Sequence, residues 1–304
     1  MKPILKTNNQ VLLSFAQSLL ADADIACVVF DENAAVMDGS LGILPRRLMV
    51  ADDDEPRAKR VLADGLARTE GPPELTEDRF LNGQLLVRQR RDGFRAGLDA
   101  VMLAAAVPAR GGDEVLELGS GAGTASLCLA RRVAHVRVVG AEIESELVTV
   151  ANQNAAANGM GERVVFVTVD VLDLPADMKR DYAHVLCNPP FHEGFGGAIA
   201  THDDGAMAEW LHVGVKRTAP GGTFTCILRA DRLAEALAAL PDTGVRVFPL
   251  WPRLGEEAKR VIIQVTKASR APLSMLGGLV LHEADGSYTA EADAILRGEK
   301  GLTL

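Results

Sequence analysis

Glu117-Leu118-Gly119-Ser120-Gly121-Ala122-Gly123 links an apolar strand, Glu114–Leu118, to a helical segment, and this junction decides the fold. Glycines at such a turn let the backbone approach a ligand where a Cβ would collide. Two details set it apart from a nucleotide-phosphate loop. The spacing is GxGxG instead of GxGxxG, and Glu117 at the strand end would repel a pyrophosphate but suits a cationic amino group. The expected ligand is therefore S-adenosylmethionine rather than NAD, with Glu117, Gly119, Gly121 and Gly123 as cofactor-binding residues.

Around this loop the chain alternates short β-branched runs with helical patterns. Val136–Glu142, Val164–Val169 and His184–Cys187 read as further strands, and Leu98–Val107 as a helix ahead of the first. Another helix is expected from an N-cap at Ser145 to Asn158, closed by Gly159. Continuous apolar strands separated by helices predict a parallel sheet covered on both faces. Val245–Pro249 and Arg260–Lys267 supply the last two of seven expected strands, the final one antiparallel, and Pro220-Gly221-Gly222 is expected in the turn before the fifth. Glu142 closes the second strand, where an acid would accept hydrogen bonds from ribose hydroxyls, and Asp170 ends the third, within reach of an adenine amino group or neighbouring backbone.

Asn188-Pro189-Pro190-Phe191 follows the fourth strand, at the carboxyl edge where open α/β sheets bind ligands. Methylation of an aromatic amine is difficult because the nitrogen lone pair is delocalised into the ring. The Asn188 side-chain carbonyl and the Pro189 main-chain carbonyl can each accept one N–H bond from such an amine, which favours a lone pair aimed at the methyl group. Pro190 stiffens the turn, and Phe191 offers a face for an extruded base. These four are the candidate catalytic residues, with Asn188 also at the cofactor.

The combination of Glu117–Gly123, Glu142, Asp170 and Asn188–Phe191 resembles class I methyltransferases of amino nitrogens, a group that includes adenine-N6, guanine-N2 and protein glutamine-N5 enzymes. Thr76–Gly83, Gly93–Ala100, Leu281–Thr289 and Ala294-Ile295-Leu296 are similar to the bacterial tRNA adenine-N6 methyltransferase family that modifies the anticodon-loop adenosine of a valine tRNA. The resemblance implies a Rossmann-like seven-stranded sheet, S-adenosylmethionine as cofactor, and tRNA as partner. Phe191 stands where the tRNA enzymes often carry tyrosine. With His192 and Gly194, the same loop also resembles that of ribosomal-RNA guanine-N2 methyltransferases. A reading of another class is a cofactor-binding sensor without catalysis.

Residues 1–70 read as a separate α+β unit of order βαββα, bounded by Gly71-Pro72-Pro73, with the larger domain over 75–304. Its elements are a strand at Pro3–Thr7, a helix capped by Asn8-Asn9, a strand at Ile25–Phe30 ending in Asp31-Glu32-Asn33, a run at Leu48-Met49-Val50, and a helix through Leu66. Gly39-Ser40-Leu41-Gly42 and Leu44–Val50 resemble a prokaryotic signal-transducing domain, which implies a ferredoxin-like regulatory module.

A net charge of −9 excludes a protein coated in basic surface, while leaving room for a local basic groove. Arg88, Arg90, Arg91 and Arg95 form the densest candidate for RNA contact; Arg46-Arg47 and Lys259-Arg260 are smaller pairs. Cys27, Cys128, Cys187 and Cys226 lack CxxC spacing and nearby histidines, so reduced packing cysteines are expected and a zinc site is not. No apolar run approaches a membrane span, and MKPILKTNNQ lacks a signal-peptide core, which together predict a cytoplasmic protein.

Overall fold

Hydrophobic side chains that alternate along each strand must be covered on two sides, and the larger part of this chain is built on that requirement. The computed structural model describes residues 1–7, 10–30, 46–69, 74–189 and 206–304. These divide into two compact units, Met1–Pro73 and Glu74–Leu304.

The first unit runs β1 (Lys2–Thr7), α1 (Gln10–Asp22), β2 (Cys27–Phe30), β3 (Arg46–Val50) and α2 (Glu55–Thr69). Its sheet is antiparallel in the order β1-β3-β2. Leu13, Ala16 and Leu20 fall on one face of α1 and pack with Ala58 and Leu62 of α2 against Leu48 and Val50. Among the described residues the order is βαββα, as read from the sequence, with α2 three residues longer than expected. The Asn8-Asn9 cap, the Asp31–Asn33 turn and the Gly39–Gly42 segment lie outside the described residues.

The second unit opens with a hairpin, β4 (Leu75–Phe80) and β5 (Leu85–Arg90), which the sequence reading did not identify. Its turn places Leu81, Asn82 and Gly83 at positive φ. Then follow α3 (Leu98–Ala106), β6 (Glu114–Leu118), α4 (Thr124–Arg132), β7 (Arg137–Glu142), α5 (Ser145–Ala157), β8 (Val164–Thr168), β9 (Tyr182–Cys187) and α6 (Ala206–Arg217). The chain ends with β10 (Thr218–Arg229), α7 (Leu233–Ala239), β11 (Val245–Trp251), β12 (Arg260–Thr266), the short β13 (Ser274–Met275) and β14 (Leu279–Val280), and α8 (Ala290–Leu296).

The large sheet has the order β13-β11-β12-β10-β9-β6-β7-β8, with β14 also pairing β11. All seven expected strands are present. β12 runs antiparallel to both β10 and β11, and β8, β7, β6, β9 and β10 are mutually parallel. The two-residue β13 and β14 enlarge the sheet to nine strands by pairing in succession along the β11 edge. Successive residues serve opposite faces: Val115, Leu186 and Ile262 join α3, α4 and α5 in one core, while Leu116, Cys187 and Ile263 join α6 and α7 in the other. Strand order reverses between β6 and β9, which opens a crevice at their carboxyl ends.

Two local expectations are corrected. Ser145 is the first residue of α5 and not its cap; Glu144 occupies the cap position without a side-chain cap bond. Gly159 does close this helix, at φ +69. Pro220-Gly221-Gly222 lies inside β10 and not before it, where the pairing with β9 skips from Thr218 to Thr223. The irregularity absorbs a proline that cannot donate to the ladder, and Gly222 is needed because a Cβ there would sit 2.2 Å from the Ala183 carbonyl oxygen.

A single ring underpins the glycine loop. Phe166 of β8 is buried, and its side chain fills the space where a Cβ of Gly140 or Gly123 would stand, at 2.3 and 2.5 Å. Gly140→Ala is expected to destabilise the protein by about 1–3 kcal/mol through overpacking. Urea denaturation will measure this, and an unchanged midpoint would mean that Phe166 moves aside freely.

Candidate active site

Parallel register sets the geometry of the site. Leu118 pairs with Ala141 on one side and Cys187 on the other, and Glu142 pairs with Thr168, so the strands β6, β7, β8 and β9 end at one edge. Gly119, Glu142, Asp170 and Asn188 are thereby gathered there from four separate segments.

The loop after β6 is held in left-handed backbone at each predicted glycine: φ is +68 at Gly119, +53 at Gly121 and +86 at Gly123. Gly119 N–H and Ser120 N–H donate to the Ala141 carbonyl at 2.8 and 3.1 Å. The Gly121 N–H donates to Glu142 Oε2 at 2.8 Å, and the Glu144 N–H to Glu142 Oε1 at 3.0 Å. Glu142 thus braces the loop with one oxygen and its own following turn with the other, a role the sequence reading did not include. Among the described residues nothing lies within 4 Å of a notional Cβ at Gly121, so this side of the loop is open to a ligand as far as those residues go.

Glu117 is buried beneath the loop. Its Oε2 accepts from the Ser126 N–H at 3.1 Å and from the Ser126 hydroxyl, in the first turn of α4. Burial pushes its carboxyl up to about 8, against the opposing pull of the Ser126 bonds and with a further push from Glu142. Asp170 is exposed two residues beyond the end of β8, and its Oδ1 accepts from the Leu172 N–H at 2.9 Å.

Asn188 leaves β9 with its Oδ1 buried and without a hydrogen-bond partner among the described residues; Ser120 Oγ and Thr124 Oγ1 are in the same condition. An orphaned buried acceptor is costly in a finished fold, and here three polar atoms of this kind belong to the two loops that meet at the switch point. Pro189 is buried. Pro190, Phe191, His192 and Gly194 lie outside the described residues.

Several residues at this edge were missed in the sequence. Trp210 of α6 lies against the loop: a Cβ on Gly119 would stand 2.6 Å from its ring. Ile143 and Leu172 are large apolar side chains left 59% and 45% exposed immediately beyond Glu142 and Asp170. Their position after two strand-end acids was the available signal.

The arginine cluster is not a set of free cations. Arg88 pairs with Glu77 at 3.3 Å, Arg90 with Glu144 and Glu146 at 2.7 and 2.9 Å, and Arg91 with Glu74 at 2.7 Å. Arg95 holds Asp78 and Thr76, both at 2.6 Å, and ties the following loop to the hairpin. Arg88 and Arg91 remain half exposed, and surface pairs of this kind contribute little and exchange readily for other anions.

A model described as "Methyltransferase small domain" matches residues 96–238, and one described as "Putative prokaryotic signal transducing protein" matches residues 1–65. The tRNA1(Val) (adenine(37)-N6)-methyltransferase of Pectobacterium carotovorum is 30% identical over 208 residues, an alignment covering 64% of this chain and 84% of that one. The chain belongs to this methyltransferase family. Its relative from Aeromonas hydrophila, of the same name, is 28% identical over 221 residues, with 69% of this chain and 92% of the relative covered. A crystal structure from Agrobacterium tumefaciens, described as a predicted O-methyltransferase, superposes with a TM-score of 0.59 at 25% identity, covering 67% of this chain and 98% of that one. The methyltransferase fold expected from the glycine loop is therefore established, and no described helix is long and apolar enough to cross a membrane.

Glu117 gives the site a pH dependence whose sign is fixed. Its carboxyl lies above the ordinary value of 4.5 in the folded chain, so the folded state binds the extra proton between that value and about 8. Stability from this group is complete below pH 4.5 and is lost as pH rises through 8. Without cofactor, the stability of the protein relative to Glu117→Gln should fall by a few kcal/mol, to order of magnitude, from pH 5 to pH 9. Parallel denaturation curves for the two proteins across that range would contradict the assignment.

Proposed function

We propose that this protein transfers a methyl group from S-adenosylmethionine to the exocyclic N6 of an adenosine in tRNA. The observation that carries the reading is the buried, unpartnered Asn188 Oδ1 beside the glycine loop. A base amine is the group whose N–H would satisfy it.

The cofactor fits the residues present. Left-handed glycines keep one side of the loop open, and the orphaned Ser120 and Thr124 hydroxyls offer polar partners. S-adenosylmethionine supplies an electrophilic methyl group on a sulfonium centre. Glu117, which without cofactor holds a proton below about pH 8, becomes a counter-charge under the loop when a cationic amino group displaces that proton, and the carboxylate of Glu142 retains lone pairs for ribose hydroxyls while bracing Gly121. Asp170, with the exposed faces of Ile143 and Leu172, suits a flat purine with an amino edge.

On the acceptor side, Asn188 and the Pro189 carbonyl each take one N6–H bond, holding the amine so that its lone pair faces the methyl. Pro190 stiffens that carbonyl and Phe191 stacks on the extruded base. The half-exposed Arg88 and Arg91 reach phosphates, Arg90 and Arg95 hold the hairpin that presents them, and Phe94, 67% exposed between them, offers a ring to an unstacked base. Adenine is favoured over guanine and over a protein glutamine by the relatives' substrate. A sensor without catalysis would have no use for the Asn188 acceptor. An enzyme acting on tRNA works in the bacterial cytoplasm.

With labelled cofactor and purified transcripts, methyl incorporation is expected in tRNA, recovered on nucleoside analysis as N6-methyladenosine. Incorporation only into ribosomal RNA, or only into protein, would overturn the reading. Asn188→Ala should lower kcat by on the order of 100-fold, the typical loss when one preorganised polar contact to the reacting group is removed.

A further inference from the structure

Asn154 in helix α5 and Asn158, the residue just past its end, have side chains that imitate a neighbouring β-strand. Asn158 Oδ1 accepts from the Leu86 N–H at 3.0 Å and its Nδ2 donates to the Leu86 carbonyl at 2.7 Å. One helical turn earlier, Asn154 Oδ1 accepts from the Arg88 N–H at 2.9 Å and its Nδ2 donates to the Arg88 carbonyl at 2.9 Å. Both clips occupy the free edge of β5, whose other edge pairs with β4. The helix therefore completes the hairpin as a third strand would.

Asn154 does one thing that Asn158 does not. Its Nδ2 also donates to the Ala122 carbonyl, at 3.0 Å, inside the loop Gly119–Gly123. Asn154 is 1% exposed, and its amide is committed on both atoms, two donated bonds and one accepted. The carbonyl it holds lies between Gly121 and Gly123, both at positive φ. A flexible glycine loop is thus tied at two points by buried polar side chains: Glu142 at the Gly121 N–H and Asn154 at the Ala122 carbonyl. The second tie runs onward to the backbone of Arg88 on the arginine-bearing hairpin.

We propose that Asn154 is a positioning residue of the methyl-transfer reaction, fixing the glycine loop in its cofactor-receiving conformation against the β4–β5 hairpin. This rests on the reading of Gly119–Gly123 as the cofactor loop. Without Asn154 the loop must be ordered by the cofactor itself, so affinity falls by the cost of ordering it. The amide is the required group because only it both donates to two carbonyls and accepts from an N–H at one position.

The test compares Asn154→Ala, Asn154→Asp and Asn158→Ala in the full chain, with S-adenosylhomocysteine as the calorimetric probe and no RNA present. Asn158→Ala removes a hairpin clip and leaves the loop untouched, so it should lower the thermal midpoint while keeping Kd within about twofold of the unmodified protein. Asn154→Ala should weaken the probe about tenfold and, in a separate turnover assay with tRNA, raise the cofactor KM alike, as expected for a buried hydrogen bond whose partner is left unpaired. Asn154→Asp keeps the acceptor for the Arg88 N–H but loses both donations, and should match Asn154→Ala in Kd; it also serves if the alanine variant does not fold. Equal weakening by Asn158→Ala would reduce Asn154 to general scaffold stability, and an unchanged Kd in both Asn154 variants would overturn the proposal. Because binding is read without RNA, a failure to methylate tRNA would sink the proposed substrate and leave this result intact.

Discussion

Parallel pairing of Glu114–Leu118 with Tyr182–Cys187 is the constraint on which the site depends. It sets Leu118 level with Cys187, so the glycine loop and Asn188 leave the sheet side by side. A slip of one residue would reverse the faces of every side chain on the strand, moving Leu118 out of the core it shares with Cys187. The register is pinned by burial on both faces, since neighbouring residues of each strand belong to different cores.

What the sheet gathers, buried polar groups then hold in place. Glu142 and Asn154 restrain the loop from opposite sides, Glu117 stabilises the start of the following helix through Ser126, and Asn152 pairs with the Phe166 backbone on β8, at 3.0 and 2.9 Å. Each is a side chain standing in for a missing backbone partner, at the irregular loop, at the first turn of a helix or along β8. The unpartnered atoms at Asn188, Ser120 and Thr124 stand out against this background of satisfied groups. On the proposed reading, they are where the cofactor and the base amine would complete the hydrogen bonding.

The electrostatics are equally local. An overall acidic chain carries the arginines of its hairpin in ion pairs, so on the proposed reading phosphates would be bound by exchange of weak surface partners and not by a broad positive field. Shape and hydrogen bonding at the carboxyl edge would then carry more of the recognition than charge does.

The sequence by itself determined the elements with local causes. Glycines forced into left-handed backbone, β-branched strands with helices between them, and the asparagine-proline turn after the fourth strand announce themselves because their neighbours in the chain create the demand. The seven strands and the candidate residues on them were legible for that reason. Only the tertiary structure decided the rest. The Pro220-Gly221-Gly222 segment reads as a turn until β9 is seen pairing on both sides of it. Asn154 carries no local signal of its role, which comes from the hairpin and the loop packed against it, and Trp210 carries none of its contact with Gly119. Glu117 looks like a rim acid and is a buried one. These residues act on partners far away in the chain, and periodicity records only what lies within a turn or two.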